Sequence, residues 1–294
     1  MRLTLAVLGM LGLGAAPAQD AEFLQSMRDD VVSLELDSNV ARGEALQGIL
    51  ARLGIEFTLE TLGITPRPNV PQSVGTNIVV TLGDGARDIV VGGHYDAVML
   101  GDGRLSRGAV DNAASAVILT RLAAALAEET LDHRVRIVFF DMEEIGLVGS
   151  RSYVEAHAGD DIAAMINLDV NGYGDTVFYG PVANQQGGDL PRAMESGCRV
   201  AMLRCMAFPQ VPASDHLSFR RPIPVLSISL LPAAEVEELA TLFSASPEEQ
   251  RAIGRTPAIL RLIHTAEDTS AHIDPAGMAL TLRATLELVR TLAR

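Results

Sequence analysis

Two adjacent carboxylates, Glu143 and Glu144, follow the apolar run "VRIVFFD" that begins at Val135. Like charges side by side at the edge of a core repel, and burying them is costly unless a cation offsets the cost. Further groups of the same kind recur along the chain. His94 and Asp96 end "RDIVVGGHYD", Asp111 sits in "GAVDNAAS", Asp169 ends "AAMINLD", and His264 stands in "IHTAEDTSAHID". Each alone has an ordinary explanation. A histidine in a strand-end loop is usually hydrogen-bonded, an Asp before a helix is usually an N-cap, and paired glutamates can form a solvated acidic turn. Gathered at successive strand ends, they exceed what capping accounts for. Carboxylates and neutral imidazoles are natural zinc ligands. Three carboxylates (Asp111, Glu144, Asp169) against two dications leave one positive charge. A bound hydroxide would neutralise it, which favours deprotonating water near neutral pH. Glu143 is then free to serve as the base that takes the water's proton and hands it to a leaving amine.

The elements that must position these groups alternate along the chain. "TNIVVTLG", "RDIVVGGHYD", "VRIVFFD", "AAMINLDV" and "PVLSISL" read as strands, while "NAASAVILTRLAAALAEE" and "SNVARGEALQGILARLG", stopped at Gly54, read as helices. A loop rich in Pro, Asn and Gly, "GITPRPNVPQSVG", precedes the first of those strands. The alternation predicts an α/β fold, a single-domain three-layer αβα sandwich with a mostly parallel central sheet. Ligands of such sheets collect at the carboxyl ends of the strands. No repeat period or dividing linker is visible. The stretch from Pro232 to Thr265 breaks the rhythm and looks helical; residues 232–263 are either a surface helix pair or a cap over the site.

A length of 294 residues suits one large α/β domain or two small ones, and 48% hydrophobic against 20% charged residues suits a globular core. The formal net charge of −14 argues against a nucleic-acid partner, whose phosphates such a surface repels. Residues 1–18 read as a secretory signal, with Arg2 as the positive region, Leu3 to Leu13 as the apolar region and "APA" before a cut after Ala18. The competing reading is a membrane anchor, for which the apolar run is too brief. No later stretch reads as long and apolar enough to span a membrane. The expectation is an exported domain, residues 19–294, periplasmic or extracellular and free of the membrane after cleavage. Export permits disulfides. Cys198 and Cys205 are the only two cysteines; on one helix they would stand about 10 Å apart, so a bridge requires a chain reversal between them. The pairing stays open, and no oligomeric state is read.

The motifs, in their order and spacing, resemble the co-catalytic dizinc aminopeptidases, the bacterial leucyl-type and aminopeptidase Y-like zinc metallopeptidases related to glutaminyl cyclase and glutamate carboxypeptidase. The resemblance covers most of the chain, from "SNVARG" and "GTNIVVTLG" through "GGHYDAV", "GAVDNAAS", "FFDMEEIGLVGS", "NLDVNG", "SDHLSF" and "HTAEDT". It implies a zinc-peptidase (phosphorylase/hydrolase-like) fold and two Zn2+ per chain. Asp111 would bridge the metals, His94 and Asp169 would complete one site, and Glu144 and His264 the other. Glu143 would be the general acid/base. Asp96 would hold the second nitrogen of His94, as metal-bound histidines require, and Asp268 would do the same for His264. The resemblance also implies a cis peptide bond after Asp111. Val110 departs from the pattern, since relatives often carry an acidic or amide residue there.

The remaining histidines are assigned around that set. His272 is the rival of His264 as last ligand. Ser214, Asp215 and His216 are read as shaping a pocket lined from residues 169–174, 208–219 and the cap, and His133 and His157 as surface residues. The activity implied is hydrolysis of the N-terminal residue of peptides with a free N-terminus, through a dizinc-bound hydroxide. The alternatives are a glutaminyl cyclase, a dipeptide carboxypeptidase and a non-catalytic receptor-like relative. Cyclases of this fold typically place tryptophan around the site and just before the last histidine. This chain has no Trp, and Ile263 occupies that position. A relic would lack ligands, whereas here every expected one is present.

Overall fold

The strand that ends in His94, β3 (Asp88–His94), is buried along its whole length. It lies near the middle of an eight-stranded sheet in a computed structural model that describes residues 17–63, 74–182, 187–219, 222–246, 248 and 256–294. In chain order the elements are α1 (Pro17–Ser33), α2 (Asn39–Arg52), β1 (Thr58–Gly63), β2 (Val74–Leu82), β3, α3 (Ala114–Leu126), β4 (Arg134–Phe140), α4 (Val148–Ala156), β5 (Ile162–Leu168) and β6 (Thr176–Gly180). There follow α5 (Leu190–Val200), β7 (Cys205–Ala207), β8 (Val225–Leu231), α6 (Ala233–Ser244), α7 (Ile259–Leu262) and α8 (Pro275–Leu292). The strand order across the sheet is β1-β2-β4-β3-β5-β8-β6-β7. The central strands β4, β3, β5 and β8 run parallel, and β6 and β7 run parallel to each other. Antiparallel pairs join β1 to β2, β2 to β4 and β6 to β8. The fold is thus α/β around a mixed sheet whose middle is parallel.

Strand alternation divides the core into two layers. Ile89 and Val91 of β3, with Ile137 and Phe139 of β4, enter the larger cluster, against which α1, α2, α3, α5 and α8 pack. Val90, Val138 and Phe140 point to the other face and meet Tyr153 of α4, Met165, Phe219 and Val225. A strand covered on both faces needs apolar residues at every position, which is why these strands read as continuous Val- and Ile-rich runs. Gly92 and Gly93, just before His94, permit close approach: a Cβ on the first would strike the Phe140 ring and one on the second the Leu168 carbonyl. Side-chain caps start two of the helices. The hydroxyl of Ser38 accepts the Ala41 N–H at 3.2 Å before α2, and Asp274 accepts the Ala276 N–H at 3.0 Å before α8.

Three expectations are resolved or corrected here. The helical stretch Ala109–Leu126 is, against the sequence reading, long and apolar enough to cross a membrane, but 94% of it is buried inside the protein and it serves as the core helix. Cys198 and Cys205 form a disulfide with Cα atoms 6.2 Å apart. The chain reversal this requires comes directly after α5, where Leu203 N–H returns to the Cys198 carbonyl at 2.8 Å and Met202 takes a left-handed φ of 56°. His157 is not a free surface residue. It stacks on Tyr153 with ring centroids 4.3 Å apart, and its nitrogens lie 2.9 Å from Glu60 and 2.8 Å from Asp160. Residues 1–16 of the expected signal, most of the loop from Gly63 to Gly75, and residues 247 and 249–255 of the stretch read as either a surface helix pair or a cap lie outside the described residues.

Candidate metal centre

The parallel strands bring their carboxyl ends to one edge, and each delivers a polar group there. β3 ends at His94, β4 leads into Glu143 and Glu144, and β5 leads into Asp169. Asp111 comes from an irregular turn at Ala109–Ala113 before α3, and His264 follows α7. The peptide bond between Asp111 and Asn112 is cis, as expected.

All seven residues singled out by the sequence, His94, Asp96, Asp111, Glu143, Glu144, Asp169 and His264, meet at this edge. Asp111 stands between two imidazoles, with Oδ1 3.2 Å from Nε2 of His94 and Oδ2 3.1 Å from Nε2 of His264. Nε2 of His94 also lies 3.6 Å from Oδ1 of Asp169, and Nε2 of His264 lies 3.3 Å from Oε2 of Glu144. Two groups result, His94–Asp111–Asp169 and Asp111–Glu144–His264, each with one ligand atom per residue all within 4.8 Å of one another. Two donors held about 2.0–2.1 Å from a tetrahedral zinc ion stand roughly 3.3 Å apart, close to the spacings seen here. Oε1 of Glu144 and Oδ1 of Asp169 are buried with no hydrogen-bond partner among the described residues, as a carboxylate reserved for a cation would be. The residues fit a pair of metal ions sharing Asp111. His272, the rival ligand, is exposed and belongs to neither group.

A ring of further contacts fixes these groups. Nδ1 of His94 faces Asp96, 3.3 Å from Oδ1 and 3.2 Å from the carbonyl, which leaves Nε2 to face the acids. The same Asp96 carboxylate accepts the backbone N–H groups of Glu143 at 3.0 Å and Glu144 at 3.2 Å. Asp268 corrects an expectation. It does not hold His264; its oxygens accept the N–H groups of Val110 at 2.7 Å and Asp111 at 3.1 Å. Two residues whose roles the sequence reading missed complete the ring. Asn112 donates to the Leu168 carbonyl at 3.0 Å and accepts the Val170 N–H at 3.1 Å, gripping the chain on both sides of Asp169. Val170 sits at a φ of 57°, unusual for a β-branched residue. Arg42, fully buried, donates to the carbonyls of Leu34, Tyr95, Arg107 and Gly108 at 2.6 to 3.2 Å, tying α2 to the loop between His94 and Asp111. The only signal for Arg42 was its place in "SNVARG", and for Asn112 its place after Asp111.

Charge is the dominant feature of the site. Burial, then the neighbouring Asp111, pushes the Glu144 carboxyl up to about 10, and burial likewise pushes Glu143 up to about 9. Burial alone would lower His94, but Asp111, Asp169 and Asp96 outweigh it and hold the imidazole well above its usual range. His264 is raised chiefly by its contact with Asp111. Burial opposes ionisation of Asp111, but the two imidazoles overcome it and hold this carboxyl below its usual range. Without added positive charge, then, Glu143, Glu144 and the two imidazoles hold their protons while Asp111 stays ionised between the rings.

Beside the cluster opens a cavity of about 250 Å3. Its apolar wall comes from Phe178, Leu231, Leu239, Ile259, Leu260 and Ile263, with the hydroxyl residues Ser227 and Ser229 of β8 among the lining. His94, Asp111, Glu143, Glu144, Asp169 and His264 form its other side. The three expected segments all contribute, through Val170, through Pro212 and Ala213, and through the helices α6 and α7. Asp215 and His216 are set back from the lining. Both are buried in a turn at Asp215–Ser218, where burial pushes Asp215 up to about 7 and His216 down to about 4. Ser214 accepts from Asn167 at 3.1 Å.

Residues 77–289 match the sequence profile of Peptidase family M28. Among curated proteins none matches the chain. Among solved structures, BSAP, a zinc aminopeptidase from Bacillus subtilis, superposes with a TM-score of 0.59 at 20% identity, over 76% of this chain and 51% of that one. The chain therefore spans about half the length of that relative. The LapA aminopeptidase of Legionella pneumophila gives a TM-score of 0.68 at 18% identity, over 93% of this chain and 72% of the other. A glutaminyl cyclase from Bacteroides thetaiotaomicron gives 0.70 at 18% identity, over 92% and 97%. At such identities the likeness is one of fold.

Proposed function

Because this chain belongs to peptidase family M28, we propose that it is a zinc-dependent aminopeptidase that removes the N-terminal residue of peptides with a free N-terminus. The observation that carries this reading is the placement of Asp111, shared by two ligand groups, beside an apolar cavity. His94, Asp111 and Asp169 would hold one zinc ion, and Asp111, Glu144 and His264 the other. Bound there, the ions supply Lewis-acid polarisation of the scissile carbonyl and lower the pKa of water.

The chain's own residues do the rest. Glu143 lines the cavity next to both groups and accepts the proton of the attacking water. It then delivers that proton to the leaving nitrogen. Asp96 fixes the His94 ring and, through two backbone N–H groups, the glutamate pair. The apolar wall receives the side chain of the N-terminal residue and excludes water from it, while the acidic side of the site attracts the free α-ammonium. One face of the cavity thus reads the residue and the other reads the chain end.

The reading extends to location. Residues 1–18 act as a secretory signal, and residues 19–294 form the exported enzyme. The Cys198–Cys205 disulfide supports this, since such bonds persist in oxidising compartments. Helices α6 and α7, in the described part of the stretch 232–263, act as a cap over the cavity.

A panel of aminoacyl chromogenic amides, assayed with chelator and with added zinc, tests the function. Zinc-restored release from an amide with a free α-amine, and none from its N-acetylated counterpart, is expected. Cyclisation of an N-terminal glutamine peptide without amide hydrolysis would replace this reading with glutaminyl cyclase.

A further inference from the structure

Glu235, in the first turn of α6, is half-buried and takes no part in the metal cluster. Its two carboxylate oxygens are used by two other parts of the chain. Oε1 accepts the Tyr173 hydroxyl at 2.8 Å, and Oε2 accepts the Ile259 backbone N–H at 2.9 Å. Tyr173 lies on the loop that continues from Asp169, and Ile259 opens α7. One side chain therefore clips together three segments that border the cavity.

Each segment contributes to the cavity or the cluster. Leu239 lies one turn beyond Glu235 on α6, while Ile259, Leu260 and Ile263 come from α7 and its end. The last ligand, beyond the far end of α7, is held by bonds of its own. The Thr265 hydroxyl donates to the Leu262 carbonyl at 2.6 Å, and the Ser106 hydroxyl donates to the Thr265 carbonyl at 2.9 Å. His264, between them, has a left-handed φ of 60°. A single-turn helix is not stable by itself, so α7 depends on anchors at both ends, and Glu235 is the anchor at its start.

We propose that Glu235 is a positioning residue that sets the apolar wall of the cavity and, through it, the enzyme's preference for large over small N-terminal side chains. The proposal rests on the aminopeptidase reading above and adds what limits the residue accepted. With the clip intact, α7 is held against α6 and the Tyr173 loop, and a branched aliphatic side chain meets a fixed surface. Released, α7 shifts, and a large side chain loses contacts that a methyl group never made. An interaction made with the substrate's side chain is lost mainly as binding, so KM for large residues changes more than kcat.

The test compares the zinc-loaded wild type with Glu235→Ala, Glu235→Gln and Tyr173→Phe on leucyl and alanyl chromogenic amides. Calorimetric binding of L-leucinamide and L-alaninamide to each protein is the readout that needs no turnover. In Glu235→Ala the leucyl-to-alanyl ratio of kcat/KM should fall on the order of tenfold, mostly through KM, as lost apolar contacts dictate. Alanyl turnover should stay within about twofold of the wild type's. The Gln carboxamide oxygen can still accept the Ile259 N–H and its NH2 can donate to the Tyr173 oxygen, so Glu235→Gln should retain most of the preference, and Tyr173→Phe should fall between. A ratio unchanged in Glu235→Ala, or losses equal for both amides, overturns the proposal, because a merely structural role weakens both together. If the wild type cleaves neither amide, the aminopeptidase reading fails. The binding ratio then decides the proposal alone: a fall in Glu235→Ala supports it and no change overturns it.

Discussion

Asp268 holds Asp111 by its backbone, its Oδ2 accepting the Asp111 N–H at 3.1 Å while Oδ1 takes the preceding N–H at 2.7 Å. The residue that faces both imidazoles is thus fixed from behind by another carboxylate. Replacing Asp268 with Ala should leave those donors unpaired and free the Asp111 turn. Outer partners of this kind are worth roughly 10- to 100-fold in metal affinity. Zinc competition with a coloured chelator measures the change, and an affinity within twofold of wild type would show that the turn holds itself.

Glu143 carries the proton in this account without being needed to hold metal. Glu143→Gln should lower kcat by about 10²- to 10⁴-fold while zinc content stays at the wild-type level. Elemental analysis alongside steady-state kinetics separates the two effects. A variant that loses zinc and activity together would make Glu143 a ligand instead.

The pH dependence of the metal-free protein has a defined sign. Burial raises Glu143 to about 9 and Glu144 to about 10, so between about pH 4.5 and those values the folded chain binds more protons than the unfolded one. Stability must fall as pH rises through that window. His94 and His264, both raised, act in the same direction: their contribution is present below about pH 6.5 and is lost above it. Asp111, lowered, opposes this only in acid. Urea unfolding of the chelator-treated protein should therefore give a lower midpoint at pH 9 than at pH 6, and zinc should abolish most of the difference. Zinc binding should also release protons and tighten with pH. A metal-free protein whose midpoint rises with pH would contradict the electrostatics.

What the sequence made legible, and what it hid, divides along physical lines. Strands buried on both faces announce themselves as unbroken apolar runs, so β3, β4 and β5 and the edge they share were readable, and with them His94, the glutamate pair and Asp169. Which donor a side chain meets was not. Asp268 has the same spacing to His264 whether it binds an imidazole or reaches back to the Val110 and Asp111 N–H groups, and only the path of the chain decides. Arg42 was hidden because its partners are all backbone carbonyls from segments distant in sequence. His157 was misjudged because Glu60, one of its two acidic partners, lies on a strand far away in the chain. The helix Ala109–Leu126 shows a related limit: a core helix and a membrane-crossing one are alike in composition and differ in what surrounds them.

The central claim is that the acids and imidazoles at this edge are neutralised by paired dications that share Asp111. Zinc per chain, measured by elemental analysis after dialysis, tests it most directly in the wild type and in Asp111→Ala and His264→Ala. The account predicts two ions in the wild type, one in His264→Ala and fewer than one in Asp111→Ala, since that change removes a ligand from both groups at once. A wild type that keeps a single ion, or an Asp111→Ala protein that keeps two, would contradict it.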